Sequence, residues 1–98
     1  MDTKQLVGVL VTTEHKGVFF GYVPEGTKDA EGEITLQRAR NCVYWSIDVK
    51  GVFGLAATGP SKGCRIGPSV PSLLLKGVTS IAEVTPEAVT NWEASKWA

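Results

Sequence analysis

A chain of 98 residues with 43% hydrophobic and 20% charged residues is sized and composed for one folded domain, 1–98, rather than for a disordered segment. Ten basic residues balance ten acidic ones, which argues against binding by bulk charge to nucleic acid or to an anionic membrane. No stretch approaches the roughly 20 apolar residues of a membrane span. The opening MDTKQLVGVLVTTEHKG has no small-residue cleavage site after its short apolar run, so a soluble, cytoplasmic protein is expected.

In chain order, Gln5–Thr13 (QLVGVLVTT) is rich in β-branched residues and predicts a strand, with Leu6 and Leu10 on one face and Val7, Val9 and Val11 on the other. Glu14–Gly17 reads as a hairpin connection, and Val18–Val23 as the return strand, with Phe20 and Tyr22 opposite Phe19 and Val23. A hairpin apolar on both faces needs more cover than a small barrel and one helix easily give, so a homo-oligomer is expected. Pro24–Gly32 is polar and carries Pro and Gly, the mark of an exposed loop. Glu33–Gln37 alternates like a half-buried strand, and Ala39–Trp45 reads as a further strand, joined to it through a bulge or tight bend at Arg38–Asn41. Ser46–Gly51 is a turn or a strand end. Val52–Thr58 predicts one or two helical turns stopped by Gly59-Pro60. Lys62–Ile66 is a short strand and Gly67–Pro71 a rigid connector. Ser72–Val84 is a long β segment whose alternation slips at Gly77. Thr85-Pro86-Glu87 starts a helix, with Thr at N-cap, Pro at N1 and an acid in the first turn. It runs to about Ser95, with Ala88, Val89 and Trp92 as its apolar stripe. The expected class is mainly β (α+β): a small antiparallel β-barrel or sandwich of about seven short strands with one C-terminal α-helix.

The chemistry concentrates between Arg38 and Pro68, where Gly-rich turns alternate with apolar runs and cations sit beside the turns. Arg38 and Arg40, two apart, share a face if the strand is regular. With Tyr44 or Trp45 they offer a guanidinium-and-ring platform for a planar ligand. The plainer reading is a pair of exposed arginines at a strand end, bonded to Asp48 or Glu33. Thr58–Gly67 (TGPSKGCRIG) lacks the Walker spacing and precedes a strand, so it is no phosphate loop of that kind. Even so, Gly59, Gly63 and Gly67 allow close backbone approach, and Ser61, Lys62 and Arg65 can donate to an anion. The plainer reading there is a Gly/Pro turn flanked by solvated cations. The candidate ligand-binding set is Arg38, Arg40, Trp45, Ser61, Lys62 and Arg65, expected to meet in one electropositive concavity.

His15, Cys42 and Cys64 would make three metal ligands at irregular spacing, a weak zinc pattern, and nothing local activates a Cys–His pair. Asp29, Asp48 and the glutamates show no spacing of an acid–base pair. No enzyme activity, metal or cofactor is therefore expected. Cys42 and Cys64 read as unpaired thiols in a reducing compartment; a bridge would need their Cα atoms within about 7 Å. Trp92 and Trp97 read as core and oligomer contacts.

The stretch ITLQRARNCVYWSIDVKGVFGLAATGPSKGCRIGP, followed by VTSIAEVTPEAVTNWE, resembles a family of small proteins of unknown function from tailed-phage and prophage genomes. Its members carry a similar VTTEHKGVFFG start, a similar ARN-C-YW strand, a similar GLAATGP turn and a similar V-PEAV-W ending. The resemblance spans nearly the whole chain and implies a phage protein acting in the host bacterial cytoplasm or in the virion. It carries no catalytic residues across. Together the residues and the resemblance lead to the expectation of a non-enzymatic accessory protein, a β-rich oligomer binding a small anionic ligand, such as a host defence nucleotide it sequesters, or a host factor. The alternative is a minor structural or assembly protein of the particle.

Overall fold

The computed structural model describes residues 5–14, 17–27, 31–45, 47 and 51–95. His15, Asp29, Asp48 and Trp97 lie outside the described residues. The architecture is mainly β: six antiparallel strands in one sheet and two helices. The strands are β1 (Leu6–Thr13), β2 (Val18–Pro24), β3 (Glu33–Tyr44), β4 (Arg65–Ile66), β5 (Val70–Lys76) and β6 (Val78–Glu83). Helix α1 spans Gly51–Ala57 and α2 spans Pro86–Ala94.

The sheet order is β4-β3-β2-β1-β6, with β5 on β3. β5 pairs with the first half of β3 (Glu33↔Lys76 to Ala39↔Val70) and β4 with its end (Cys42↔Ile66). The far edge is β6, paired with β1 (Leu10↔Ala82). The two edges are thus consecutive parts of one segment, Val70–Glu83, bent at Gly77, whose φ of 69° only glycine adopts at little cost. Here Glu14 N–H donates to Gly77 O and Val78 N–H to Gly32 O, which ties the corner to the starts of both edge pairings.

That continuity corrects the expected barrel. β5 and β6 run head to tail in one strand direction and no ladder joins them, so the sheet curls without closing. Among the described residues all six strands belong to one sheet, so no second sheet makes a sandwich. The expected strands Glu33–Gln37 and Ala39–Trp45 are one 12-residue strand. A bulge interrupts it at Arg38: Phe20 faces Arg40 and Tyr22 faces Gln37, leaving two residues of β3 opposite Gly21. Arg38 holds a left-handed φ of 48° there. The short helix stands where it was expected, as α1, so the described residues hold two helices.

Both faces of the first hairpin are covered within the chain. One face sends Leu10, Val18, Phe20 and Tyr22 into a cluster with Leu55, Ala88 and Trp92 from the helices. The other sends Val9, Val11 and Val23 into a cluster with Ile34, Leu36 and Leu75, and Ile81 from β6 packs on it. Side chains of both edge strands meet there, which is the packing that curls the sheet. The apolar faces from which an oligomer was inferred are therefore satisfied by the fold itself.

The helices lock to each other through hydrogen bonds that finish α1. A helix end leaves carbonyls without intrahelical partners. Trp92 Nε1 donates to Leu55 O (3.0 Å), Thr85 N to Ala56 O (3.0 Å), Thr85 Oγ1 to Ala57 O (2.6 Å) and Asn91 Nδ2 to Thr58 O (2.7 Å). Thr85 also caps α2, accepting from Ala88 N at 3.1 Å, as its place before Pro86 predicted. Trp92 is fully buried and stacks on Phe20 at 5.1 Å. Trp92→Ala should cost about 3–5 kcal/mol, through a cavity and an orphaned Leu55 carbonyl. Thr85→Ala should cost about 1–2 kcal/mol. Chemical denaturation read by circular dichroism checks the ratio; equal shifts would contradict this packing.

Candidate functional site

The six residues proposed from sequence do not meet in one concavity. The structure places them at three hollows and in the core. Arg38 and Arg40 line the first hollow, with Phe20, Tyr22, Ser69 and Glu93. Ser61 and Lys62 line a second, between the 60–64 loop and the last turns of α2. Arg65 lines a third, shallow and apolar, with Val43 and Tyr44. Trp45 is half-buried and packs against the helix-side core.

Arg40 is buried, 8% exposed, and works inward. Its Nε donates to Gly67 O at 2.8 Å and its Nη1 to Trp92 O at 2.6 Å. The bulge sets this direction. Ahead of it Ile34 and Leu36 point to the curled side of the sheet; beyond it Arg40 and Cys42 stand on the helix side. The carbonyl of Trp92 lies in the last turn of α2, where a cation is favoured. Desolvation by burial lowers the pKa of Arg40 below the ordinary arginine value. Gly67 accepts this guanidinium while its own N–H donates to Asn41 O at 2.8 Å. A Cβ at Gly67 would meet the end of the exposed Asn41 side chain, which would have to swing aside. The amides of Gly59 and Gly67 are committed, to Gly54 O and Asn41 O, and do not form the anion nest suggested by the glycine spacing.

Arg38 works outward. It is exposed, and its guanidinium carbon sits 4.1 Å from the centroid of the Tyr22 ring. The left-handed conformation at Arg38 carries its side chain onto the ring of the residue opposite Gln37. The Tyr22 hydroxyl donates to Glu93 Oε1, so one ring carries Arg38 on its face and Glu93 on its phenol. No carboxylate among the described residues pairs with Arg38. Tyr22, Ser69 and Glu93 were not foreseen: Tyr22 reads as strand filling, and no sequence signal ties Glu93 to a strand 71 residues away.

The hollow at Ser61 and Lys62 is larger, about 480 Å³, against about 160 Å³ at Arg38. Its other polar groups are committed: Asn91 Nδ2 to Thr58 O and Ser95 Oγ to Asn91 O. Among the described residues no cluster of three metal-ligating side chains occurs. No described helix is long and apolar enough to cross a membrane.

Cys42 and Cys64 are not disulfide-bonded. Burial, then the neighbouring Cys64, raises the Cys42 pKa from 9.0 to about 12, while Cys42 Sγ donates to Tyr44 O at 3.6 Å. This is the reverse of an activated nucleophile. Because the unfolded thiol ionises first, the stability due to neutral Cys42 is intact below pH 9.0 and is lost as pH climbs to about 12. Urea denaturation across that window should show a shallower decline in Cys42→Ala than in the parent; identical slopes would contradict the assignment.

The profile of the family described as Domain of unknown function (DUF6948) matches residues 6–92. No curated protein and no solved structure matches the chain.

Proposed function

The chain belongs to the family described as Domain of unknown function (DUF6948), a description that names no activity, and from that premise we propose a function from the geometry: non-enzymatic binding of a small ligand through an anionic group, in the hollow of Arg38, Arg40 and Tyr22. One observation carries the reading. Arg38 occupies a backbone conformation that glycine would take more readily, and from it presents a guanidinium braced on an aromatic ring beside the buried charge of Arg40. Non-glycine residues held at positive φ cluster where function requires the side chain. A guanidinium offers paired donors to a carboxylate or phosphate.

At about 160 Å³ the hollow takes a head group rather than a whole nucleotide, since sites enclosing larger ligands run to roughly 300–1,000 Å³. A nucleotide, including one made in host defence, would seat its phosphate here and leave its base outside. The resemblance to tailed-phage and prophage proteins supports action in the cytoplasm of an infected bacterium. A second reading, a structural or assembly role in the particle through copies of itself, draws on exposed apolar side chains: Tyr44 at 55%, Phe53 at 84% and Ile47 at 95%.

Arg38→Gly separates site from scaffold, because glycine relieves the backbone and removes the charge. Calorimetric titration with inorganic phosphate, acetate and a nucleoside monophosphate should show binding to the parent and at least about tenfold weaker binding to Arg38→Gly. The melting temperature should stay the same or rise. A folded Arg38→Gly that binds like the parent would overturn the reading in favour of the structural one.

A further inference from the structure

We propose that the ligand of this hollow is a small zwitterion, a free α-amino acid, with its carboxylate on Arg38 and its ammonium on Glu93. The inference rests on the reading of the hollow as a binding site and names the chemistry of what enters it.

A site built only for an anion would not set a carboxylate in its wall, yet Glu93 lines this hollow together with both arginines. Arg40 has spent its Nε and one Nη1 donor on Gly67 O and Trp92 O, which anchors its charge to the scaffold. That leaves Arg38 and Glu93 as the opposed charges at the mouth, both exposed. They do not pair with each other, because Tyr22 holds them apart. Its ring face carries the guanidinium and its hydroxyl bonds the carboxylate. Tyr22 itself is 7% exposed, fixed in the core by edge contact with Phe20 at 5.2 Å, so the spacer is rigid.

Two opposite charges set on the face and the hydroxyl of one ring, over one small hollow, complement a ligand that carries an ammonium and a carboxylate on a single carbon. A carboxylate alone satisfies Arg38 and is repelled by Glu93; an ammonium alone meets the reverse. Only a ligand carrying both gains at each end. The volume of about 160 Å³ takes glycine, alanine or serine whole, and a longer side chain would extend outside the hollow.

The test is a titration of glycine, acetate and ethylammonium into the 15N-labelled full chain, followed by amide shifts around Arg38, Ser69 and Glu93. The parent should bind glycine at least about tenfold more tightly than acetate or ethylammonium. Glu93→Gln should reduce glycine to the level of acetate while acetate binds as before or more tightly. If acetate equals or exceeds glycine in the parent, and Arg38→Gly abolishes it, the zwitterion is wrong and the anion site stands. If no probe shifts these amides, or Arg38→Gly binds as the parent does, the site itself is wrong.

Discussion

The structure depends on where the charge of Arg40 goes. A guanidinium removed from water is costly unless its donors are met, and here they are met by two carbonyls from distant parts of the chain. Gly67 O belongs to the corner between β4 and β5, and Trp92 O to the last turn of α2. One side chain therefore ties the longest strand, the sheet edge and the helix cap into a single unit. Around it Phe20, stacked on Trp92, supplies an apolar wall. The bond at Trp92 also answers the partial negative charge of the helix end.

The bulge at Arg38 makes that arrangement available and at the same time divides the labour of the two arginines. An extra residue in β3 changes which residues face the helices, so Arg40 and Cys42 turn toward α2 whereas Ile34 and Leu36 turn away. Arg38, at the point of the change, is left exposed with the Tyr22 ring beneath it. Tyr22 then serves both layers: buried with the core at one end, and bonded at its hydroxyl to Glu93 on the helix. Scaffold and hollow are continuous for this reason.

Features governed by neighbours in sequence were legible before the structure. Thr85-Pro86 set the start of α2, Gly77 the break between β5 and β6, Gly59-Pro60 the stop of α1, and the bend near Arg38 the place of the bulge. Features governed by distant partners were not. The open sheet follows from one segment, Val70–Glu83, serving both edges, and alternation alone cannot say which strands a segment joins. The covering of the first hairpin from both sides was misjudged for a related reason: the curl brings Leu75 and Ile81 onto the same cluster. Arg40 read as a surface cation because buried arginine is rare, and its two acceptors lie 27 and 52 residues away. The cations Lys62 and Arg65, close to each other in sequence, were separated by the turn between them into different hollows.

The claim that one arginine is structural and its neighbour is presented for binding is tested most directly by the Nε–H signals of Arg38 and Arg40 in the same NMR spectrum. The account predicts a slowly exchanging Arg40 Nε–H, protected by Gly67 O and indifferent to added amino acid, beside an Arg38 Nε–H that exchanges rapidly and moves on titration. An Arg40 signal that exchanges as fast as that of Arg38, or that moves with the ligand while Arg38 stays still, would contradict it.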